Sequence, residues 1–233
     1  MKSLVFLTMT IFSISAMADQ FKTVRVSGNV NRYSYDYSYP SFNSQSVPGY
    51  QKINASIEKI MSEDDGCAGG PERSEEPDYD YSATARVVAL NPDYVGIGIV
   101  TSSYCGGAHP NYYVYNLTYN SQTGELADIP AEFGFTKEDY DVNEKIQQKV
   151  ARVLANHIPK DSACFENRSD KSQVIEELMT MWPVVQGLAK NKTVVLGISP
   201  AHAIYACQFD VRVPYAEVKD LIRPGSFLHS WLK

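Results

Sequence analysis

Apolar and polar positions alternate with period two near the start of the chain. Val24, Val26, Gly28 and Val30 alternate with polar residues, and Tyr33, Tyr35, Tyr37 and Tyr39 resume the alternation on the opposite parity. Alternation of this kind predicts a half-buried strand. The parity change predicts either one strand with a valine face and a tyrosine face, or a bulge at Gly28 that shifts the phase. The tyrosine ladder could stack on sugar rings; cross-strand packing in a half-buried sheet is the reading adopted here. Tyr81 to Leu90 and Tyr94 to Ser103 are β-rich runs joined by Asn91-Pro92-Asp93, which predicts a hairpin. A third strand follows from Asn111 to Tyr119, with Tyr113, Tyr115, Leu117 and Tyr119 sharing a face.

Other stretches carry helical spacing. Ile53, Ile57, Ile60 and Met61 fall on one helical face after a start near Ser46 and Pro48. Val142, Ile146, Val150, Val153 and Leu154 form a second stripe, with Thr136 as the expected cap and Pro159 as the stop. A shorter helix is expected from about Asp170 to Met179. Strands are expected over Trp182 to Ala189 and Thr193 to Ile198, turning at Lys190-Asn191-Lys192, and over Gln208 to Val213. Pro214 opens a short helix through Leu221, and Phe227, Leu228 and Trp231 suggest a tail docked on the core. This order of elements implies an α+β fold rather than alternating β-α-β units. Two lobes are expected. Residues 19–125 would form an antiparallel meander sheet packed with one helix, and residues 126–233 a lobe of helices and antiparallel strands.

Residues 1–18 read as a secretory signal. Lys2 supplies the positive start, Leu4 to Ile14 the apolar run, and Ala16-Met17-Ala18 the small-residue cleavage site. The run is shorter than the about 20 residues a membrane-spanning helix needs, and no later segment is apolar enough to cross. Cleavage after Ala18 and a periplasmic or secreted location are therefore expected. The chain is 44% hydrophobic with a formal charge of -6. That acidic balance argues against nucleic acid as a partner, because phosphate binding needs a basic face. It is compatible with a basic partner.

An oxidising compartment gives the four cysteines, Cys67, Cys105, Cys164 and Cys207, a structural reading as two disulfides. Three pairings are open. Cys67 with Cys105 and Cys164 with Cys207 is preferred, since each would close a loop within its own half and contribute about 3–4 kcal/mol. No two cysteines have the close spacing of zinc sites, and no metal or cofactor is expected. The acidic stretch from Asp64 to Asp78 lacks the ligand spacing of a calcium loop and reads as a solvated loop.

Chemistry, if present, concentrates at Cys105-Gly106-Gly107-Ala108-His109-Pro110. Gly106 and Gly107 allow backbone angles that turn successive amides toward an anion, and His109 beside them could act as an acid or base. The plainer reading is a loop pinned by a disulfide. Gly106, Gly107, His109 and Tyr113 form the candidate binding loop. His157 near a helix end, His202 in a turn and His229 near the terminus carry bland structural readings, the last as an exposed residue. There is no Gly-x-Ser-x-Gly, phosphate loop or dinucleotide fingerprint, so catalysis rests on no positive motif and no catalytic residue is assigned.

Several pieces together resemble one family: Tyr39-Pro40, Cys105-Gly106-Gly107-Ala108-His109-Pro110, Thr123-Gly124-Glu125 and Val213-Pro214-Tyr215. They resemble the domain of unknown function shared by the extracytoplasmic part of a lysozyme-sensing anti-sigma factor and the N-terminal region of a peptidoglycan deacetylase. The cysteines resemble its periplasmic, stand-alone branch. The resemblance implies a two-lobed α+β fold and a lysozyme-like protein or peptidoglycan as partner. The expected function is thus an exported binding protein. The alternatives are a cell-wall hydrolase or esterase using His109, and a structural envelope protein without a small ligand.

Overall fold

The computed structural model describes residues 20–30, 33–63, 79–104, 110–136, 139–158, 170–198 and 209–232. The valine and tyrosine runs form two strands, β1 (Phe21–Val30) and β2 (Tyr33–Phe42), paired antiparallel. Val24 lies opposite Tyr39, Val26 opposite Tyr37 and Gly28 opposite Tyr35. In this register, facing residues always differ in parity, so valines and tyrosines share one face. Neither the single two-faced strand nor the phase-shifting bulge at Gly28 is present. Gly28 instead leaves room for the Tyr35 ring, which a Cβ at that position would strike.

The helix α1 (Tyr50–Glu63) follows β2, and β3 (Tyr79–Leu90), β4 (Tyr94–Tyr104) and β5 (Asn111–Asn120) complete a sheet of order β1-β2-β3-β4-β5. The order is that of a meander, with one departure: β2 and β3 run parallel, Tyr33–Ser38 beside Tyr79–Thr84. A parallel pair needs a crossover, and the helical segment supplies it. Ile53, Ile57 and Met61 are fully buried, and their cluster includes Tyr39, Tyr81, Val95, Ile97, Ile99 and Tyr119 of the sheet. Each such side chain is worth about 1.5–3 kcal/mol of transfer free energy. Asn54 fixes the end of β2 by accepting from the Phe42 amide and donating to its carbonyl, both at 2.9 Å. The tyrosines pack as a ladder, with Tyr37 stacked on Tyr39 at 6.3 Å and tilted against Tyr81 at 6.5 Å.

Lobe two contains α2 (Ile129–Glu132), α3 (Tyr140–Leu154), α4 (Lys171–Thr180), β6 (Pro183–Ala189), β7 (Thr193–Ile198), β8 (Asp210–Pro214), α5 (Tyr215–Val218) and α6 (Leu228–Trp231). Its strands form an antiparallel sheet of order β6-β7-β8. Asp139, not Thr136, caps α3: its carboxylate accepts from the Val142 amide at 3.0 Å, while Thr136 Oγ1 accepts from the Asp139 amide one turn earlier. Val150 and Leu154 are buried, Ile146 and Val153 partly so, and Val142 is exposed. The tail docks as expected, with Leu228 and Leu232 buried and the Trp231 ring stacked on Tyr94 at 5.7 Å.

That stacking belongs to the joint between the lobes. Ala89 and Tyr94 of the large sheet lie in the core of lobe two. The buried Tyr94 hydroxyl donates to the Ala189 carbonyl at 3.0 Å, the Leu188 amide to Thr118 Oγ1 at 3.0 Å, and the Lys190 amide to the Val88 carbonyl at 3.1 Å. Gly96 permits this approach, since a Cβ there would lie 2.5 Å from the Leu188 carbonyl oxygen. Among the described residues no helix is long and apolar enough to cross a membrane.

Candidate functional site

Strand geometry divides the large sheet into two unlike faces, because successive side chains point oppositely. On β4, Val95, Ile97, Ile99, Thr101 and Ser103 are buried on the α1 side. The other face carries Tyr94, Gly96, Gly98, Val100 and Ser102. Among the described residues, lobe two covers the part of this second face at Tyr94 and Gly96. Its edge is marked by Asn116 Nδ2 donating to Gln186 Oε1 at 2.8 Å. Beyond that wall no other element packs on the face among the described residues. Val100, opposite Val114 on β5 and Thr84 on β3, is 44% exposed, and Tyr112, opposite Ser102, is 51% exposed.

The register carries the uncovered face across the remaining strands. Ser82 and Thr84 of β3 lie beside Asp36 and Ser38 of β2, and those lie beside Ser27 and Arg25 of β1. Two polar pairs lie on this flank. Arg25 grips Asp36 with two bonds, Nε to Oδ1 at 3.0 Å and Nη2 to Oδ2 at 2.6 Å. The hydrogen bond from Arg25 holds the Asp36 carboxyl below the usual carboxylate range. Ser34 donates to Asp80 at 3.0 Å. Arg86, opposite Gly98, is exposed and makes no ion pair among the described residues. The arrangement is a broad sheet face with an aromatic and aliphatic centre, a lone cation near the wall and a neutralised polar flank.

The anticipated binding loop is only partly within view. Cys67, Cys105, Cys164, Cys207, Gly106, Gly107 and His109 lie outside the described residues, as does His202. Tyr113 is described: it is 38% exposed, opposite Thr101, on the α1 side. Its neighbour Tyr112 belongs to the uncovered face and is the more exposed of the two. The same alternation that groups Tyr113, Tyr115, Leu117 and Tyr119 sends Tyr112, Val114, Asn116 and Thr118 the other way. That signal could have picked out Tyr112.

The described histidines are engaged elsewhere. His157 Nε2 sits 2.9 Å from Glu217 Oε2, tying the end of α3 to α5. His229 is half-buried rather than exposed. Its Nδ1 lies 2.7 Å from the Tyr215 hydroxyl and its Nε2 lies 3.2 Å from the Arg223 carbonyl. A hydrogen on Nε2 donating to that carbonyl leaves Nδ1 to accept from the tyrosine. No group of three or more metal-ligating side chains occurs among the described residues.

No protein-family model matches this chain, and no curated protein matches it. Among solved structures, its fold resembles that of a DUF3298 family protein from Pseudomonas aeruginosa PAO1. The two align over 90% of this chain and 97% of that one, with a TM-score of 0.50 and 15% identity. A member of the same family from Bacteroides fragilis NCTC 9343 aligns over 90% and 96%, with a TM-score of 0.47 and 11% identity. The chain thus has the two-lobed α+β architecture of a DUF3298 protein. The motifs read from the sequence pointed to a domain-of-unknown-function family, and the similarity in fold is to a protein of that kind.

Proposed function

We propose that this protein is an exported recognition module. Its uncovered sheet face would bind a macromolecular partner, a lysozyme-like protein first and peptidoglycan second. The observation that carries the reading is the exposed Tyr112–Val100 centre beside the lobe-two wall. Aromatic side chains of this kind present large contact area and a polar tip, which suits protein recognition. The leader-like residues 1–18 support export, and the resemblance to the lysozyme-sensing family supports the choice of partner. The acidic balance of the chain suits a basic protein.

Size narrows the binding mode. Five strands spaced about 4.8 Å apart, uncovered for roughly six residues, give a footprint of about 400 Å². A standard interface takes about 800 Å² from each side. A protein partner must therefore also touch the lobe-two wall or the strand ends at Tyr104 and Pro110. The test is binding of the mature protein to hen-type lysozyme and to purified peptidoglycan at moderate salt. Tyr112→Ala and Val100→Asp should each weaken binding about tenfold or more, as loss of a central anchor does. Absence of binding to both partners, or full binding by both variants, overturns the proposal.

A further inference from the structure

We propose a second ligand site, on lobe two, which takes a neutral or amino-bearing saccharide: the groove between Trp182 and Tyr140. Trp182 has φ of +54°, in the left-handed region that bulky residues avoid. It is also 53% exposed. The local anchors explain how the strain persists. Met181, buried, closes α4 with its amide donating to the Leu178 carbonyl at 3.0 Å, and Pro183, also buried, begins β6. Trp182 is the single residue between the α4 cap, Met181, and Pro183 at the start of β6, and it takes the left-handed angle that commonly ends a helix and usually falls to glycine. Glycine would adopt that angle without steric cost. An indole at such a position, with half its surface bare, indicates that the side chain is used.

Its surroundings fit a sugar ring. Tyr140, at the first residue of α3, is 66% exposed. Tyr140, Glu144 and Gln147 follow the i, i+4, i+7 spacing of one helical face. With Met179, Thr180 and Trp182 they line an open groove of about 320 Å³. That volume lies at the lower end of small-ligand sites, enough for one ring or a short oligomer. Flat aromatic faces pack against the C–H face of a pyranose. Glu144 can accept and Gln147 can both donate and accept, which matches a ring edge of hydroxyl and amide groups. Thr180 Oγ1 donates to the Glu177 carbonyl at 2.7 Å and keeps its lone pairs for a ligand donor.

Charge sets the class. Glu144 lines the groove, and Asp139 and Asp141 lie on the adjacent turn. An anionic sugar would meet repulsion there. A wholly apolar occupant would strip water from Glu144 with nothing in return. The site is separate from the uncovered sheet face, so either assignment can fail alone.

The probe is chitotetraose, a neutral acetamido-sugar oligomer, titrated into the mature protein and each variant by isothermal titration calorimetry. Oligolysine and heparin serve as charged comparisons. Binding of chitotetraose should weaken about tenfold or more in Trp182→Ala, survive in Trp182→Phe, and be unchanged in Tyr112→Ala. Trp182→Gly should lose binding yet unfold at higher urea than the parent, because the strained turn is relieved. Absence of sugar binding at millimolar concentration overturns the proposal. Undiminished binding by Trp182→Ala overturns it as well. Binding of oligolysine in place of chitotetraose would reassign the groove to a cationic peptide and overturn it equally.

Discussion

Replacing Gly96 by alanine tests the joint on which the two lobes depend. The added Cβ would lie 2.5 Å from the Leu188 carbonyl oxygen and 3.1 Å from the Ala89 Cβ. The first of these is backbone and cannot turn aside, so β6 must lift from the sheet. Overpacking of this kind costs about 1–3 kcal/mol. Lifting β6 also stretches the Leu188–Thr118 and Tyr94–Ala189 hydrogen bonds, both 3.0 Å and both buried. Each is worth about 1 kcal/mol net. The sum gives a destabilisation of about 3–5 kcal/mol. Gly98→Ala is the internal control. Its Cβ would meet a Val88 methyl at 3.0 Å and Asn116 Oδ1 at 3.2 Å, both side-chain atoms that can yield. Urea unfolding followed by far-ultraviolet circular dichroism measures both variants. The Trp231 fluorescence reports whether its stacking on Tyr94 persists. A Gly96→Ala protein as stable as the parent, or one less affected than Gly98→Ala, refutes the account of the joint.

Two further outcomes follow from the packing. Ile57→Ala removes a fully buried side chain between α1 and the sheet and should cost about 2–5 kcal/mol in urea unfolding; a loss under half a kilocalorie would show that the helix docks elsewhere. Burial raises the Tyr94 and Tyr119 phenols above their ordinary range. The unfolded chain then sheds these protons first, so stability is full below about pH 10 and falls as pH rises toward the folded values. In Tyr119→Phe the decline above pH 10 should be shallower, as read from alkaline unfolding curves; an unchanged decline refutes the assignment.

Much of this fold is legible because local and tertiary signals agree. Ile53, Ile57 and Met61 announce a helix with one apolar side, and that side is buried. Asn91 announces a turn, and its side chain accepts from the Asp93 and Tyr94 amides at 2.9 and 3.0 Å. The parity change between the valines and the tyrosines was ambiguous because period-two patterning cannot distinguish a bulge from a hairpin whose register joins odd to even. The parallel β2–β3 seam left no local trace, since it depends on where α1 returns the chain. At α3, Thr136 and Asp139 are both good caps, and only the position of the first buried turn decides between them. The site was the least legible part. Period-two alternation gives two faces but does not say which one a later lobe will cover. Gly96 and Gly98 leave space on one face of β4, yet that the cover stops before Val100 follows from where β6 lies.

The seam between β2 and β3 has a consequence for how the molecule survives in its compartment. It joins six residue pairs, against ten in each of the hairpins that meet at β1–β2 and β4–β5. When a thermal opening breaks the sheet, this is where it should part, releasing one local hairpin from the three-stranded remainder. The opening would bare the backbone of β3, a long ladder edge able to recruit another chain. Helix α1, spanning the seam and packed on both sides of it, is then the guard against self-association as well as a part of the core.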